Sequence, residues 1–129
     1  MSDNVLIDTT VWVEYFRKKE SPISRQLKLL IEKNRVAICG VIYSEVLQGA
    51  RDDVQELRAL FSKIPRLEMS WDVFEKAGLV SRDLRKAGQP LPMSDCLIAS
   101  AALCHGTTLL TLDGDFKRVS GLEMLDQIP

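Results

Sequence analysis

The chain has 129 residues, 46% apolar and 27% charged, and its 17 Lys and Arg stand against 18 Asp and Glu for a net charge of −1. A chain of this length buries roughly two thirds of its unfolded surface, so its core needs no disulfide or metal staple, and the near-neutral charge excludes holding nucleic acid by a bulk positive field. The start "MSDNVLID" lacks a basic stretch leading into a long apolar one, and no run approaches the roughly 18 apolar residues of a membrane span. A cytoplasmic protein is expected, folded as one domain over residues 1–129.

In chain order, "NVLID" predicts a short buried strand ending in Asp8, and "VWVEYF" the helix after it. "KKESP" reads as a turn, and "ISRQLKLLIEKN" as a helix with Ile23, Leu27, Leu30 and Ile31 on one face. "RVAIC" is a second buried strand. "GVIYSEVLQGARDD" predicts a helix carrying Glu45 in its first half, and "VQELRALFSKI" one that turns Leu57, Leu60, Phe61 and Ile64 inward and stops at Pro65. "RLEMS" reads as a short third strand. "WDVFEKAGLVSRDLRKAG" is an amphipathic helix built on Val73, Phe74, Ala77, Val80 and Leu84 and closed by Gly88. "PMSDCLIASAALCHG" is a nearly apolar helix ended by His105 and Gly106, "TTLLTLD" a fourth strand and "LEML" a candidate fifth. Strands alternating with helices argue for an α/β sandwich on a mainly parallel sheet. The three cysteines, Cys39, Cys96 and Cys104, are odd in number and lack CxxC spacing; each has apolar neighbours and is expected as a reduced, buried thiol.

In open parallel sheets ligands collect at the carboxyl ends of the strands. Asp8 closes the first strand, and Asp113 and Asp115 follow the fourth in "LLTLDGDF". Glu45 lies just inside the helix after the second strand, and Asp95 opens a helix whose N-terminus faces the same edge. Each acid alone has a plain structural use: Asp8 and Asp95 as caps, Glu45 as a solvated helix residue, Asp113 and Asp115 as turn residues around Gly114. Together they come from four separated segments to one small region. Clustered carboxylates raise one another's pKa values, and a hard divalent cation removes that conflict. Oxygen donors without soft ligands suit Mg²⁺ or Mn²⁺, which leaves room for metal-assisted hydrolysis of a phosphodiester.

The ordered set "VLIDTTVWVEYF", "YSEVLQGA", "PMSDCLIASAALCHGTTLLTLDGDF" and "RVSGLEML" resembles PIN-domain ribonucleases, specifically the VapC toxins of type II toxin–antitoxin systems, over essentially the whole chain. The resemblance implies a PIN-like three-layer α/β/α sandwich with a mainly parallel sheet. It carries the family's acids onto Asp8, Glu45, Asp95 and a last acid at either Asp113 or Asp115, with the metal on Asp8, Asp95 and that last pair, and supporting hydroxyls onto Thr9 and Thr111. It implies Mg²⁺- or Mn²⁺-dependent endoribonuclease cleavage that arrests translation, with tRNA and rRNA as candidate substrates. A VapB antitoxin partner whose C-terminal segment wraps the toxin, and a homodimer, follow from the same likeness.

Cations near the acids, Arg17, Lys18, Lys19, Arg51, Lys117 and Arg118, are candidates to hold RNA phosphates. At least two of Trp12, Tyr15 and Phe16 are expected in the core, and any left exposed offers apolar surface to the antitoxin. The sole histidine, His105, sits where a helix end favours it, so chemistry relying on a histidine acid–base pair is not expected. Two other readings compete. A non-catalytic PIN-like module binding RNA or protein gains nothing from a complete set of acids. A phosphoacceptor receiver domain needs paired acids after the first strand and an Asp after the third, which "DTTVW" and "RLEMSW" do not supply.

Overall fold

Three consecutive apolar residues with no polar alternation suit only a strand covered on both faces, and Val5–Ile7 forms such a strand, β1, with every residue fully buried. It is the middle strand of a three-stranded parallel sheet ordered β2-β1-β3, with β2 at Val36–Ala37 and β3 at Thr108–Leu110. Val5 pairs with Val36 on one side and Thr108 on the other, and Ile7 with Leu110. Successive strand residues point to opposite faces, so the burial of all of β1 means that helices cover both sides. The computed structural model describes residues 3–127.

Six helices provide that cover. α1 (Thr9–Arg17) and α2 (Pro22–Glu32) link β1 to β2. α2 begins at a capping Ser21, whose hydroxyl accepts the Ser24 N–H at 3.3 Å, followed by Pro22, where a missing N–H costs nothing. α3 (Gly40–Gln48), α4 (Val54–Ser62), α5 (Trp71–Lys86) and α6 (Met93–His105) lead to β3. α5 and α6 pack along each other. α6 ends at Gly106, whose φ of 66° is a left-handed cap that a residue with a Cβ enters only under strain.

Several expectations are corrected. "RLEMS" contributes one bridge, Ile38 to Arg66, rather than a strand, and "LEML" one bridge, Leu109 to Met124. Pro65 precedes Arg66 and has no N–H, so it can only accept from Ile38 N, at 3.0 Å, and pairing does not extend backwards. α3 stops at Gln48 instead of running through Asp53. Residues 50–53 turn, with Arg51 N–H donating to Asp53 Oδ1 at 3.1 Å. Phe74 is 48% exposed, because α5 buries the stripe of Val73, Ala77 and Leu84 and Phe74 lies beside it. Cys39 and Cys96 are buried free thiols as expected, whereas Cys104 is exposed on the last turn of α6. Of the three aromatics of α1 only Trp12 is fully buried; Tyr15 and Phe16 pack against the core half-buried. No helix of the described residues is long and apolar enough to cross a membrane.

The strand order places a switch point between β1 and β3: the chain leaves β1 towards β2, and the neighbour on the other side is β3. At such a point the loops leaving the strands diverge and open a crevice at the carboxyl edge.

Candidate active site

Asp8 follows β1 directly and is only 3% exposed. Its carbonyl receives the first N–H groups of α1, from Val11 at 3.0 Å and Trp12 at 3.3 Å, yet its side chain caps nothing. Instead Oδ2 accepts two hydroxyls, Thr10 Oγ1 at 2.8 Å and Thr111 Oγ1 at 2.7 Å. Thr111, likewise 3% exposed, comes from the end of β3. The main chains meet there too, with Asp8 N–H donating to Leu110 O at 2.9 Å. Gln127 Nε2 closes the far side by donating to the Thr111 carbonyl. A nearly buried carboxylate is therefore held across the switch point by hydroxyls from two elements, which is how burial of such a group is made tolerable.

Glu45 lies on α3 five residues after its start, and α3 leaves β2 at the same edge. Thr9, the first residue of α1, donates to Glu45 Oε1 at 2.6 Å. The expected supporting hydroxyls, Thr9 and Thr111, thus serve different acids. Thr10 is a third, and it is not among the residues expected from the sequence. Its signal is present there as a hydroxyl two residues after an Asp, a spacing at which the two side chains commonly bond locally.

Asp95 stands in the first turn of α6 and makes no capping bond. Its carboxyl is pushed up to about 6, first by burial and then by the negative charges of Asp8, Asp113, Glu45 and Asp115, in that order. All five predicted acids are therefore electrostatic neighbours. Asp113 is half-buried, its N–H donates to Thr111 Oγ1 at 3.0 Å, and its Oδ1 accepts Asp115 N–H at 2.9 Å, starting the 3-10 turn Gly114–Arg118. Asp115 is exposed, and one of its oxygens pairs with Arg118 at 3.3 Å. Arg118 also donates to Pro90 O at 3.0 Å, fastening this turn to the segment that enters α6.

The predicted cations divide. Arg17 and Arg51 line a groove of about 820 Å³ between α1, α3 and α4 that also contains Glu45, with Val13, Phe16, Val46 and Leu57 as its apolar part. Lys117 lines a smaller cleft of about 360 Å³ beside Thr111, Asp113 and Gln127. Lys18 ends α1, Lys19 lies over the Tyr15 ring at 5.6 Å, and Arg118 is engaged as above. His105 is at the other end of α6, with Nε2 2.8 Å from Glu68 O, and takes no part in the site.

Among the described residues no group of three or more His, Cys, Asp or Glu is arranged to hold a metal ion by itself. The donors present are nonetheless carboxylates and hydroxyls, the hard oxygen type. Mg²⁺ keeps several waters and takes one or two carboxylates, so a ready protein cage of three ligands is not what it requires. The upward push on Asp95 comes first from burial and then from the neighbouring acids, and a cation offsets the charge-repulsion part of it.

Fold and site together define an α/β domain with an acidic, hydroxyl-braced crevice at the switch point of a short parallel sheet. Residues 5–122 match the PIN domain family. Over 127 residues the chain is 35% identical to a VapC ribonuclease of Mycobacterium bovis and to ribonuclease VapC11 of Mycobacterium tuberculosis, covering 94% of this chain and 95% of each relative. The fold is shared with the DNA-bound VapBC of Salmonella typhimurium (TM-score 0.80, 20% identity, 98% of both chains). It is shared also with VapC20 of M. tuberculosis, described as a Sarcin-Ricin loop cleaving toxin (TM-score 0.69, 15% identity, 95% of this chain and 98% of that one). The chain belongs to the PIN-domain family, among the VapC ribonucleases.

Proposed function

We propose that residues 1–129 form one PIN domain acting in the cytoplasm as a Mg²⁺- or Mn²⁺-dependent endoribonuclease toxin. The observation that carries this reading is the convergence of Asp8, Glu45, Asp95 and Asp113 on the β1/β3 switch point in a chain 35% identical to named VapC ribonucleases. One or two of Asp8, Asp95 and Asp113 would hold the cation directly, and the remainder would act through its bound waters. Asp113 is preferred to Asp115 as the fourth acid because it is half-buried against Thr111, and Asp115 is exposed and paired with Arg118. A bound divalent cation supplies positive charge against the scissile phosphate and lowers the pKa of water. Glu45, oriented by Thr9, is placed to take a proton from an attacking water, leaving the catalytic chemistry to oxygen bases alone. Arg17 and Arg51 on one side and Lys117 on the other are the phosphate contacts we infer for RNA.

The test is cleavage of end-labelled tRNA and rRNA fragments by the purified chain with Mg²⁺ or Mn²⁺. Discrete products are expected that vanish with EDTA and in Asp8→Asn; Arg17→Ala and Arg51→Ala should raise KM and flatten its salt dependence with kcat kept. Cleavage that persists in Asp8→Asn would overturn the site. RNA binding by folded, metal-loaded protein with no cleavage of any fragment would favour the binding-only module.

The partner we infer is a VapB-type antitoxin with an amphipathic segment. The large groove supports this, because its apolar floor adjoins Glu45 and its rim carries both Arg51 and the acids Asp52, Asp53 and Glu56. The free chain is expected as a homodimer. Light scattering should give twice the monomer mass alone and a larger complex with the antitoxin; a monomer in both conditions removes both inferences.

A further inference from the structure

We propose that the cleft between the turn after β3 and residues 124–127 is a subsite for one RNA base beside the scissile phosphate, and that it selects guanine. The inference rests on the ribonuclease reading and concerns the part of the substrate that the acids do not touch. The cleft is about 360 Å³, within the roughly 300–1,000 Å³ of small-ligand sites. Asp113 lines it and is also an electrostatic neighbour of Asp95 and Asp8, so an occupant of the cleft lies next to the reacting phosphate. The wall opposite the turn is held by side chains. Leu125 N–H donates to Leu109 O at 2.8 Å, and beyond it no main-chain bond to β3 follows among the described residues. Gln26 Nε2, from a buried position on α2, then donates to Asp126 O at 2.9 Å, and Gln127 Nε2 donates to Thr111 O. These bonds take the Asp126 carbonyl and one Gln127 amide proton. The Asp126 carboxylate, the second Gln127 amide proton and Gln127 Oε1 have no partner among the described residues, and Lys117 on the turn forms no ion pair among them.

Surface, charge and hydrogen-bonding groups together specify the ligand. Leu112, 44% exposed, joins Met124 and Leu125 in supplying apolar surface, and a methionine sulfur packs well on aromatic rings. Such a surface suits the flat face of a base, the part by which single-stranded RNA is commonly held. Lys117 supplies a cation for the attached phosphate. The polar groups then decide which base. A carboxylate only accepts, through two oxygens, whereas the free amide proton of Gln127 donates. Guanine alone of the four bases carries two adjacent donors, N1–H and the 2-amino group, beside an acceptor, O6. Adenine and cytosine set one amino donor next to an acceptor nitrogen that a carboxylate repels, and uracil has a single N–H between two carbonyls. An acid in a site for a polyanion opposes binding unless donors engage it. Asp126 therefore acts as a filter that admits guanine and disfavours the rest.

The experiment titrates the full chain in EDTA with the 5′-monophosphates of guanosine, adenosine, cytidine, uridine and inosine, and with inorganic phosphate, followed by amide NMR shifts. Guanosine monophosphate should bind about 10-fold more tightly than the others, the scale of one bidentate base contact. It should shift the amides of the turn and of the segment from Met124 to Gln127. Inosine, which lacks only the 2-amino group, should fall with the weaker ligands, a comparison that needs no variant. Asp126→Asn should erase the preference and melt as wild type does, because Gln26 holds the main chain there. Lys117→Ala should weaken all the nucleotides alike. Equal affinity for guanosine and inosine monophosphates, or a preference that survives Asp126→Asn, overturns the proposal. RNA cleavage with Mn²⁺, abolished in Asp8→Asn, is measured beside it. Cleavage by a chain without guanine preference leaves the ribonuclease reading standing, whereas guanine preference without cleavage of any guanine-containing RNA keeps the base site and overturns that reading.

Discussion

Asp95→Asn is expected to abolish RNA cleavage and at the same time to make the metal-free protein more stable at neutral pH. The two effects have one origin. Asp95 is partly buried among four other acids, and its carboxyl is pushed up to about 6, chiefly by burial, then by Asp8, Asp113, Glu45 and Asp115. In an unfolded chain an aspartate titrates near 3.9. Between these values the folded protein holds more protons than the unfolded one, so stability falls as pH rises from about 4 to about 6 and then levels off. Two units correspond to about 2.7 kcal/mol at most; partial exposure of the side chain screens this to about 1–2 kcal/mol. Asparagine removes the charge and with it the slope. In EDTA at pH 7.5 the variant should melt above wild type by several degrees, at about 3–6 °C per kcal/mol for a domain of this size. At about pH 3, below both values, wild type is largely protonated in both states and the gap should close. Saturating Mg²⁺ should reverse the order, because metal at 100 times its Kd adds about 2.7 kcal/mol to the form that binds it. Activity should fall by at least about 10²-fold, the larger loss seen for orienting partners of a metal ligand. Equal metal-free melting of the two proteins at pH 7.5, or retained turnover in the variant, would remove Asp95 from the site.

The same tension explains why the candidate site is legible in the sequence. An acid at the start of the apolar α6, another inside "VIYSEVLQGA" and others at strand ends are local costs that a fold accepts for a reason. Covered strands announce themselves as "VLI" and "TLL", and Gly106 and Pro22 mark helix ends through their own backbone limits. What the residues alone leave open is which of several equivalent side chains the tertiary structure uses. Phe74 and Val73 are adjacent and both apolar; α5 turns Val73 into the core and leaves Phe74 48% exposed. Thr9 and Thr10 are likewise adjacent, and roughly 100° apart around a helix. One turns to Glu45 and the other to Asp8, a division set by where α3 and β3 lie and not by any local preference. "RLEMS" alternates polar and apolar residues as a strand does, yet Pro65 before it leaves one bridge. The likeness to VapC toxins offers Asp113 and Asp115 as equals, and only their surroundings separate them: one is braced by Thr111, the other exposed on Arg118.

Trp12→Ala is expected to cost about 3–5 kcal/mol of folding stability, a large part of the total of about 5–15 kcal/mol for an ordinary domain. Trp12 is fully buried and forms the centre of an aromatic cluster, edge-on to Phe61 at 4.8 Å, stacked on Phe16 at 5.9 Å and edge-on to Tyr15 at 6.1 Å. Alanine leaves a void on all three sides. Trp12→Phe should behave differently, because the indole Nε1 is buried with no hydrogen-bond partner among the described residues. An unsatisfied buried donor costs about 1–3 kcal/mol, so removing it offsets much of the lost contact, and the net change is expected within about 1.5 kcal/mol. The consequence reaches the site through one helical turn. Trp12 N–H donates to the Asp8 carbonyl at 3.3 Å, and Thr9 and Thr10 lie between the two residues. Anchoring the Trp12 ring therefore fixes the turn from which both hydroxyls reach their acids. Urea unfolding followed by circular dichroism, alongside RNA cleavage, should show Trp12→Phe retaining kcat/KM and Trp12→Ala losing activity wherever it is unfolded. Equal destabilisation by the two substitutions would mean that the indole N–H is satisfied and that ring shape alone holds α1 in place.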